Sequence, residues 1–126
     1  MQACTFHIFS SVDGEPRQFK TAGTFAFSKE KTELFYADEN SNVCIRIEKS
    51  DVLIRRTGDY ELLLPLQNGK KTVGKIGLGG TQGDVEISTK KTACDISATG
   101  GEFSAEYALH FGAELQRMKL RVKVKI

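Results

Sequence analysis

The C-terminal stretch "RMKLRVKVKI" (Arg117–Ile126) alternates strictly between basic and apolar residues. Successive side chains of a β-strand point to opposite faces, so this pattern places the apolar side chains on one face and the basic side chains on the other. The apolar set is Met118, Leu120, Val122, Val124 and Ile126. The basic set is Arg117, Lys119, Arg121, Lys123 and Lys125. The stretch therefore predicts a strand with one buried face and one solvent-exposed face.

The same period of two runs through most of the chain. Apolar residues alternate within 19–27, 34–36, 43–47, 52–54, 85–89 and 103–111. Turn-forming stretches such as "SKEK", "DENSN" and "KSD" separate the earlier segments. Only "GAELQRMK" and the N-terminal segment could host a helix, and neither sustains an apolar stripe at 3.6 residues. We therefore predict about eight to eleven short antiparallel strands and little helix.

The chain length and the number of strands together favour a closed sheet. The 126 residues fall within the usual size of one domain, and no linker or internal repeat divides them. A small protein with this many strands must protect the edges of its sheet, and closure into a barrel removes the edges. We predict an all-β fold, with residues 1–126 forming a single closed antiparallel β-barrel domain.

The glycine-rich stretch "GLGGTQGDVEIST" (Gly77–Thr89) invites comparison with a phosphate-binding loop. A dinucleotide-binding fingerprint needs G-x-G-x-x-G followed by a helix, whose N-terminus holds the phosphates. Here Gln82 occupies the place of the third glycine, and the residues after it alternate as a strand does. We interpret the cluster as a turn or bulge between two strands, where glycine supplies a positive φ.

Three stretches resemble the YwiB-like family of uncharacterised bacterial proteins. They are "RRTGDYELLLPLQNGKK", "GDVEISTKK" and "GGEFSAEYALHFGAEL", all within residues 55–115. The resemblance implies a calycin-type, lipocalin-like closed β-barrel. Because that family has no established activity, the resemblance implies no functional residue.

The composition and the cysteines bear on location. No apolar run approaches the roughly 20 residues that span a bilayer, and "MQACTFHIFSS" has no basic leader. The three cysteines, Cys4, Cys44 and Cys94, are odd in number and far apart, so they indicate no disulfide framework or metal clip. We predict a cytoplasmic protein without membrane association.

The residue types that catalysis and metal binding require are sparse. The two histidines, His7 and His110, lie in separate alternating segments. Glu102 and Glu106 share a strand face, but four residues of strand place them about 13 Å apart, too far for a paired acid and base. We predict no catalytic residue, no metal and no cofactor, and we favour a binding protein over an enzyme.

A small anionic ligand inside the barrel is the first binding hypothesis. Arg56 shares the parity of Val52 and Ile54, and an inward guanidinium requires either a carboxylate partner or an anionic ligand. The alternative is that a twist or bulge near Gly58 turns Arg56 outward. Three further residues share inward parity and carry hydroxyls, with plain core packing as their alternative role: Tyr36, Tyr107 and Thr89.

Binding of a polyanion such as nucleic acid is the second hypothesis. The basic set of the C-terminal stretch would stand about 7 Å apart along one face. Against this, the net charge is only +2, and no aromatic residue interleaves with these cations. A lysine-rich strand also prevents edge-to-edge pairing of sheets. A third hypothesis is a structural or protein-interaction module, including a homodimer.

Overall fold

The computed structural model of the protein describes residues 1–126 and contains ten strands and no helix. The strands are β1 (Gln2–Val12), β2 (Glu15–Phe27), β3 (Thr32–Asp38), β4 (Ser41–Glu48), β5 (Asp51–Thr57), β6 (Glu61–Gln67), β7 (Lys71–Leu78), β8 (Thr81–Ser97), β9 (Gly100–Phe111) and β10 (Glu114–Lys125). Both stretches with some helical potential belong to strands and turns, since β1 and the start of β10 occupy them.

Each strand pairs antiparallel with its neighbours in the chain, and β1 pairs with β10 to close the ring. The β1–β10 ladder runs from Thr5 opposite Lys125 to Val12 opposite Met118. The predicted all-β closed antiparallel barrel is confirmed. Closure gives every strand a neighbour on both sides, although β2 pairs with β3 only from Gly23 to Phe27 and β8 pairs with β7 only from Thr81 to Ser88.

The barrel encloses a core of 22 buried apolar residues. Its largest fully buried side chains include Phe6, Phe25 and Phe103, at 0%, 1% and 0% exposure. The predicted alternation holds along the strands, but Phe27 and Phe111 are 43% and 41% exposed despite inward parity. Each is the last residue of its strand, where no neighbouring side chain covers it. Ile126 lies just beyond β10 and is 58% exposed for the same reason.

The two ends of the barrel differ in how well they cover the inward-facing side chains. The turns after β1, β3, β5, β7 and β9 lie at one end, which we call the hairpin end. The inward apolar residues there are only partly buried: Phe19, Leu62, Ile76, Met118 and Leu120. At the opposite end, Thr32, Ile47, Val52, Leu66 and Val124 are all buried. The interior is therefore more accessible from the hairpin end.

The glycine cluster forms the turn between β7 and β8. Gly79 and Gly80 are the two turn residues, with φ of 58° and 84°. Two successive positive φ values characterise a type I′ turn, whose twist matches that of the flanking strands. The glycines are used for strand reversal, as the sequence predicts, and no helix follows them.

Gly23 in β2 allows a close approach that a side chain would block. An added Cβ would lie 2.3 Å from the Phe35 carbonyl oxygen and 2.5 Å from the Phe6 ring. We expect Gly23→Ala to lower the free energy of unfolding by about 2 to 3 kcal/mol, because overpacking a filled core displaces its neighbours. Urea denaturation measures the change. Gly83→Ala is the control, since nothing lies within 4 Å of its added Cβ; equal losses in the two variants would contradict the close approach.

Candidate functional site

A carboxylate and two guanidinium groups meet at the hairpin end. Asp38 is the last residue of β3, and its side chain is 7% exposed. Arg17 donates from Nη1 to Oδ2 at 3.1 Å and from Nη2 to Oδ1 at 2.8 Å, so it forms a bidentate pair with the carboxylate. Arg56 donates from Nη1 to Oδ2 at 3.1 Å. We call Arg17, Asp38 and Arg56 the Asp38 cluster.

Arg56 faces inward. It lies opposite Val43 on β4 and Leu62 on β6 in an unbroken register, so no bulge turns it over. Its side chain is only 20% exposed. The outward alternative is therefore wrong, and of the two partners that an inward arginine requires, the structure shows the carboxylate of Asp38.

The charges of the Asp38 cluster reinforce one another. The hydrogen bonds from Arg17 lower the pKa of Asp38, and burial opposes this by raising it. The hydrogen bond from Arg56 lowers the pKa of Asp38 further. The same contact with Asp38 raises the pKa of Arg17. Glu39 also approaches Arg17, at 3.4 Å, but its side chain is 77% exposed and contributes little. The buried part of the cluster, Arg56 and Asp38, thus pairs one positive charge with one negative charge, and Arg17 joins it from the solvent side with its side chain 48% exposed.

Two tyrosines lie beside Arg56, and the third lies near both of them. The Arg56 guanidinium lies 5.2 Å from the centre of the Tyr60 ring. Burial raises the pKa of Tyr107 to about 12, and Tyr60 adds to that shift. Burial also raises the pKa of Tyr36, with Asp38 and Tyr107 acting in the same direction. The buried phenol groups of Tyr36 and Tyr107 therefore remain protonated donors at neutral pH.

Two buried polar side-chain atoms have no hydrogen-bond partner: Nε of Arg56, in the Asp38 cluster, and Oγ1 of Thr89, beside the turn after β6. Thr89 lies opposite Tyr107 in the β8–β9 ladder, beside a bulge at Lys90. Backbone bonds from the turn after β6 hold it there, since its N–H donates to Lys70 and its carbonyl accepts from Gly69, both at 3.0 Å. The bulge and these bonds fix the position of an unsatisfied hydroxyl.

The structure brings together most of the residues predicted for a ligand site. Tyr36, Val43 and Arg56 follow one another in a row across β3, β4 and β5. Tyr107 lies close enough to Tyr36 to raise its pKa. Thr89 is paired with Tyr107 in the β8–β9 ladder. Core packing also engages Tyr36, whose ring centre lies 5.4 Å from that of Phe6.

Sequence reasoning missed Arg17, Asp38 and Tyr60. Asp38 continues the inward parity of Leu34 and Tyr36, and a carboxylate on a buried face is a signal that could have been used. The contacts themselves have no local signal, because Arg17 and Arg56 lie 21 and 18 residues from Asp38 along the chain.

The predicted basic set forms a separate surface on the outside of the barrel. All five side chains are exposed, as their parity requires, and none belongs to the Asp38 cluster. No aromatic residue interleaves with these cations within β10, but a neighbouring strand supplies one. Phe9 on the neighbouring strand β1 lies beneath Arg121 and Lys123, with its ring centre 4.5 Å and 5.5 Å from their charged groups. Barrel closure places this ring there, and the spacing within β10 could not reveal it.

Other reactive side chains do not assemble into a catalytic or metal site. No group of three or more His, Cys, Asp or Glu residues is arranged to hold a metal ion. Ser88 Oγ and His110 Nε2 share a hydrogen bond of 2.9 Å, but no carboxylate is hydrogen-bonded to His110. A serine nucleophile needs its base oriented by a third group, so this pair alone does not make one.

A family match supports the barrel and the earlier resemblance. The family described as "Domain of unknown function (DUF1934)" matches residues 3–122. The chain belongs to this DUF1934 family. The crystal structure of the ywiB protein from Bacillus subtilis is similar over 98% of this chain and 91% of that one, with a TM-score of 0.84 and 21% identity. That likeness establishes a shared barrel fold, and the resemblance to the YwiB-like family is confirmed.

None of the curated proteins compared with the chain matches it. The structure contains no helix with the length and apolar character needed to cross a membrane.

The Asp38 cluster predicts a measurable dependence on charge. We expect Asp38→Asn to lower the free energy of unfolding by about 3 kcal/mol at pH 7, because the buried guanidinium of Arg56 loses its carboxylate. Urea denaturation provides the measurement. Asp51→Asn is the matched control, since this exposed carboxylate accepts only one bond, from Gln67 at 3.1 Å, and should change stability by less than about 0.5 kcal/mol.

The same carboxylate predicts the direction of the pH effect. The pKa of Asp38 is lower in the folded protein, so its stabilisation is fully present above the unfolded value of about 3.9. It is lost as the pH falls through the lowered native value. Stability measured from pH 7 to pH 2 should therefore fall more steeply for the wild type than for Asp38→Asn. Parallel acid profiles would contradict a lowered pKa at this position.

Proposed function

We propose that this DUF1934 protein binds a small anionic metabolite at the hairpin end of the barrel, as a non-enzymatic, single-domain protein of the cytoplasm. The observation that carries the proposal is the buried Nε of Arg56, which has no hydrogen-bond partner. More than nine in ten buried polar groups in native proteins are hydrogen-bonded, and an unmade bond costs about 1 to 3 kcal/mol. A ligand with oxygen acceptors would satisfy this donor.

The polar groups at this end select for an acceptor-rich ligand. Arg56 Nε is a donor only, and the raised pKa values keep Tyr36 and Tyr107 protonated as donors. The guanidinium groups of Arg17 and Arg56 are balanced by the carboxylates of Asp38 and Glu39, so the donors favour an anion and the net charge does not. Asp38 orients both guanidinium groups by direct hydrogen bonds, which makes it a positioning residue. A carboxylate or phosphate group fits this arrangement of donors.

The packing of the interior limits the size of the ligand. Phe6, Phe25 and Phe103 fill the space deeper in the barrel, so the ligand would lie near the opening. Next to Arg56, a surface cavity of about 370 Å³ has Leu62 and Ile76 on its walls. This volume lies at the lower end of the range for small-molecule sites, about 300 to 1,000 Å³. The exposed ring of Tyr60 offers a flat apolar contact beside the guanidinium.

Thr89→Val tests whether the buried Thr89 hydroxyl lacks a hydrogen-bond partner in the folded protein. Without ligand, we expect this variant to be about 1 kcal/mol more stable than the wild type, because it removes an unsatisfied buried hydroxyl. Thr72→Val is the matched control and should lose about 1 kcal/mol, since the Thr72 hydroxyl donates to the carbonyl of Pro65. Thermal and urea denaturation measure both. A destabilised Thr89→Val protein would mean that the hydroxyl already has a partner in the fold.

Binding itself is tested on protein purified from its own cells. Native mass spectrometry should show a bound small molecule, and a panel of carboxylates and phosphates should raise the melting temperature of the wild type. We expect Arg56→Gln to abolish the shift and Arg46→Gln, at an outward arginine of β4 that does not line the cavity next to Arg56, to retain it. Absence of any shift in the wild type, or equal loss in both variants, would overturn the proposal.

A further inference from the structure

The outer surface over β1, β10 and β9 combines aromatic and basic side chains. Outward residues of β1 include His7 and Phe9, whose rings lie 4.0 Å apart between centres. The exposed basic set of β10 runs beside them, with Lys123 opposite His7 and Arg121 opposite Phe9 in the ladder. We call this surface the Phe9 face.

The cations of the Phe9 face are largely free of carboxylate partners. Among the five of β10, only Arg121 forms a salt bridge, at 3.3 Å to Glu102, and both side chains are nearly half exposed. An exposed pair of this kind contributes about 0 to 1 kcal/mol and exchanges readily for another anion. The face therefore presents a row of five cations flanked on β9 by Glu102 and Glu106, which stand opposite Lys123 and Lys119 in the ladder.

Protection of a sheet edge does not account for these cations. β10 pairs with β1 along one side and with β9 along the other, so it has no edge to protect. Closure of the barrel therefore excludes protection against edge-to-edge pairing as the reason for the lysine-rich strand.

A cavity of about 390 Å³ opens on the same face, beside the aromatic pair. Its walls include Phe9, Lys91, Ser104, Glu106, Lys119 and Arg121. The site thus brings one ring, a hydroxyl group, three cations and one carboxylate from different strands around a single hollow. A flat base stacked on the Arg121 guanidinium, which itself lies over the Phe9 ring, would leave its phosphates near the lysines.

We propose that the Phe9 face binds single-stranded nucleic acid. The basic residues stand about 7 Å apart along β10 and can follow a phosphate backbone. The aromatic pair favours a single strand over a duplex, because only unpaired bases can turn out to stack on a protein ring. This surface is distinct from the Asp38 cluster, and its function does not depend on the ligand proposed there.

The experiment measures binding of fluorescein-labelled poly-U RNA and poly-dT DNA of about 12 nucleotides, within the usual site size of such surfaces. If all five cations of β10 contact phosphates, the logarithm of affinity should fall with that of the salt concentration with a slope of about −3.5. Comparing the two probes shows which sugar the face prefers. A duplex of the same length should bind more weakly.

Two matched pairs of variants assign the binding to the Phe9 face. Phe9→Leu keeps an apolar side chain but removes the ring, and we expect about ten-fold weaker binding, whereas Phe111→Leu, at an exposed ring elsewhere, should bind as the wild type does. Lys123→Glu with Lys125→Glu should abolish binding. Lys29→Glu with Lys70→Glu changes the net charge equally at exposed turn positions and should retain most of it.

Melting temperatures establish that each variant is folded. Should Phe9→Leu fail to fold, the lysine variants and the salt slope still decide the matter. Absence of binding at low salt, an equal preference for duplex, or equal loss in the two double variants would overturn the proposal. The last result would indicate general attraction between a basic protein and any polyanion, including an acidic membrane.

Discussion

The ladder between β1 and β10 joins the first strand of the chain to the last, with Phe6 opposite Val124 and Ile8 opposite Val122. Without it, both strands would expose unpaired backbone groups, and the apolar face of a bent sheet would open to water. With it, 82 of the 87 backbone hydrogen bonds lie within the ring of strands, and every inward side chain meets the same core. The two candidate surfaces exist because this ladder divides the residues of each strand into an inside and an outside.

The inside of the barrel is apolar at one end and polar at the other. Burying Arg56 is tolerated because Asp38 neutralises it, and Arg17 closes the carboxylate from the solvent side. Such a cluster is stable only when its hydrogen bonds are satisfied, since removal of one partner leaves an uncompensated charge. The unpaired Nε of Arg56 departs from that rule at the more accessible end. Departures of this kind in a native protein often mark the place where function and stability conflict.

On the outside of the barrel, a neighbouring strand adds aromatic rings to the basic residues of β10. The alternation of β10 predicts only that its cations are exposed. The structure adds that Phe9 and His7 lie beside these cations and that β10 has partners on both sides. A stripe that would protect the edge of an open sheet becomes, in a closed one, a surface available to a partner.

The sequence by itself determined the strands, their faces and the inward parity of Arg56, Tyr36, Tyr107 and Thr89, because a period of two is a local property of an extended chain. It also located the turn at Gly79 and Gly80, since two successive positive φ values favour glycine. Only the tertiary structure decided that Asp38 is the partner of Arg56, that two tyrosines lie beside this pair, which end is accessible, and that an aromatic ring accompanies the basic set. These features depend on which strands pair and in what register. Such long-range choices leave no trace in the spacing of residues along any one strand.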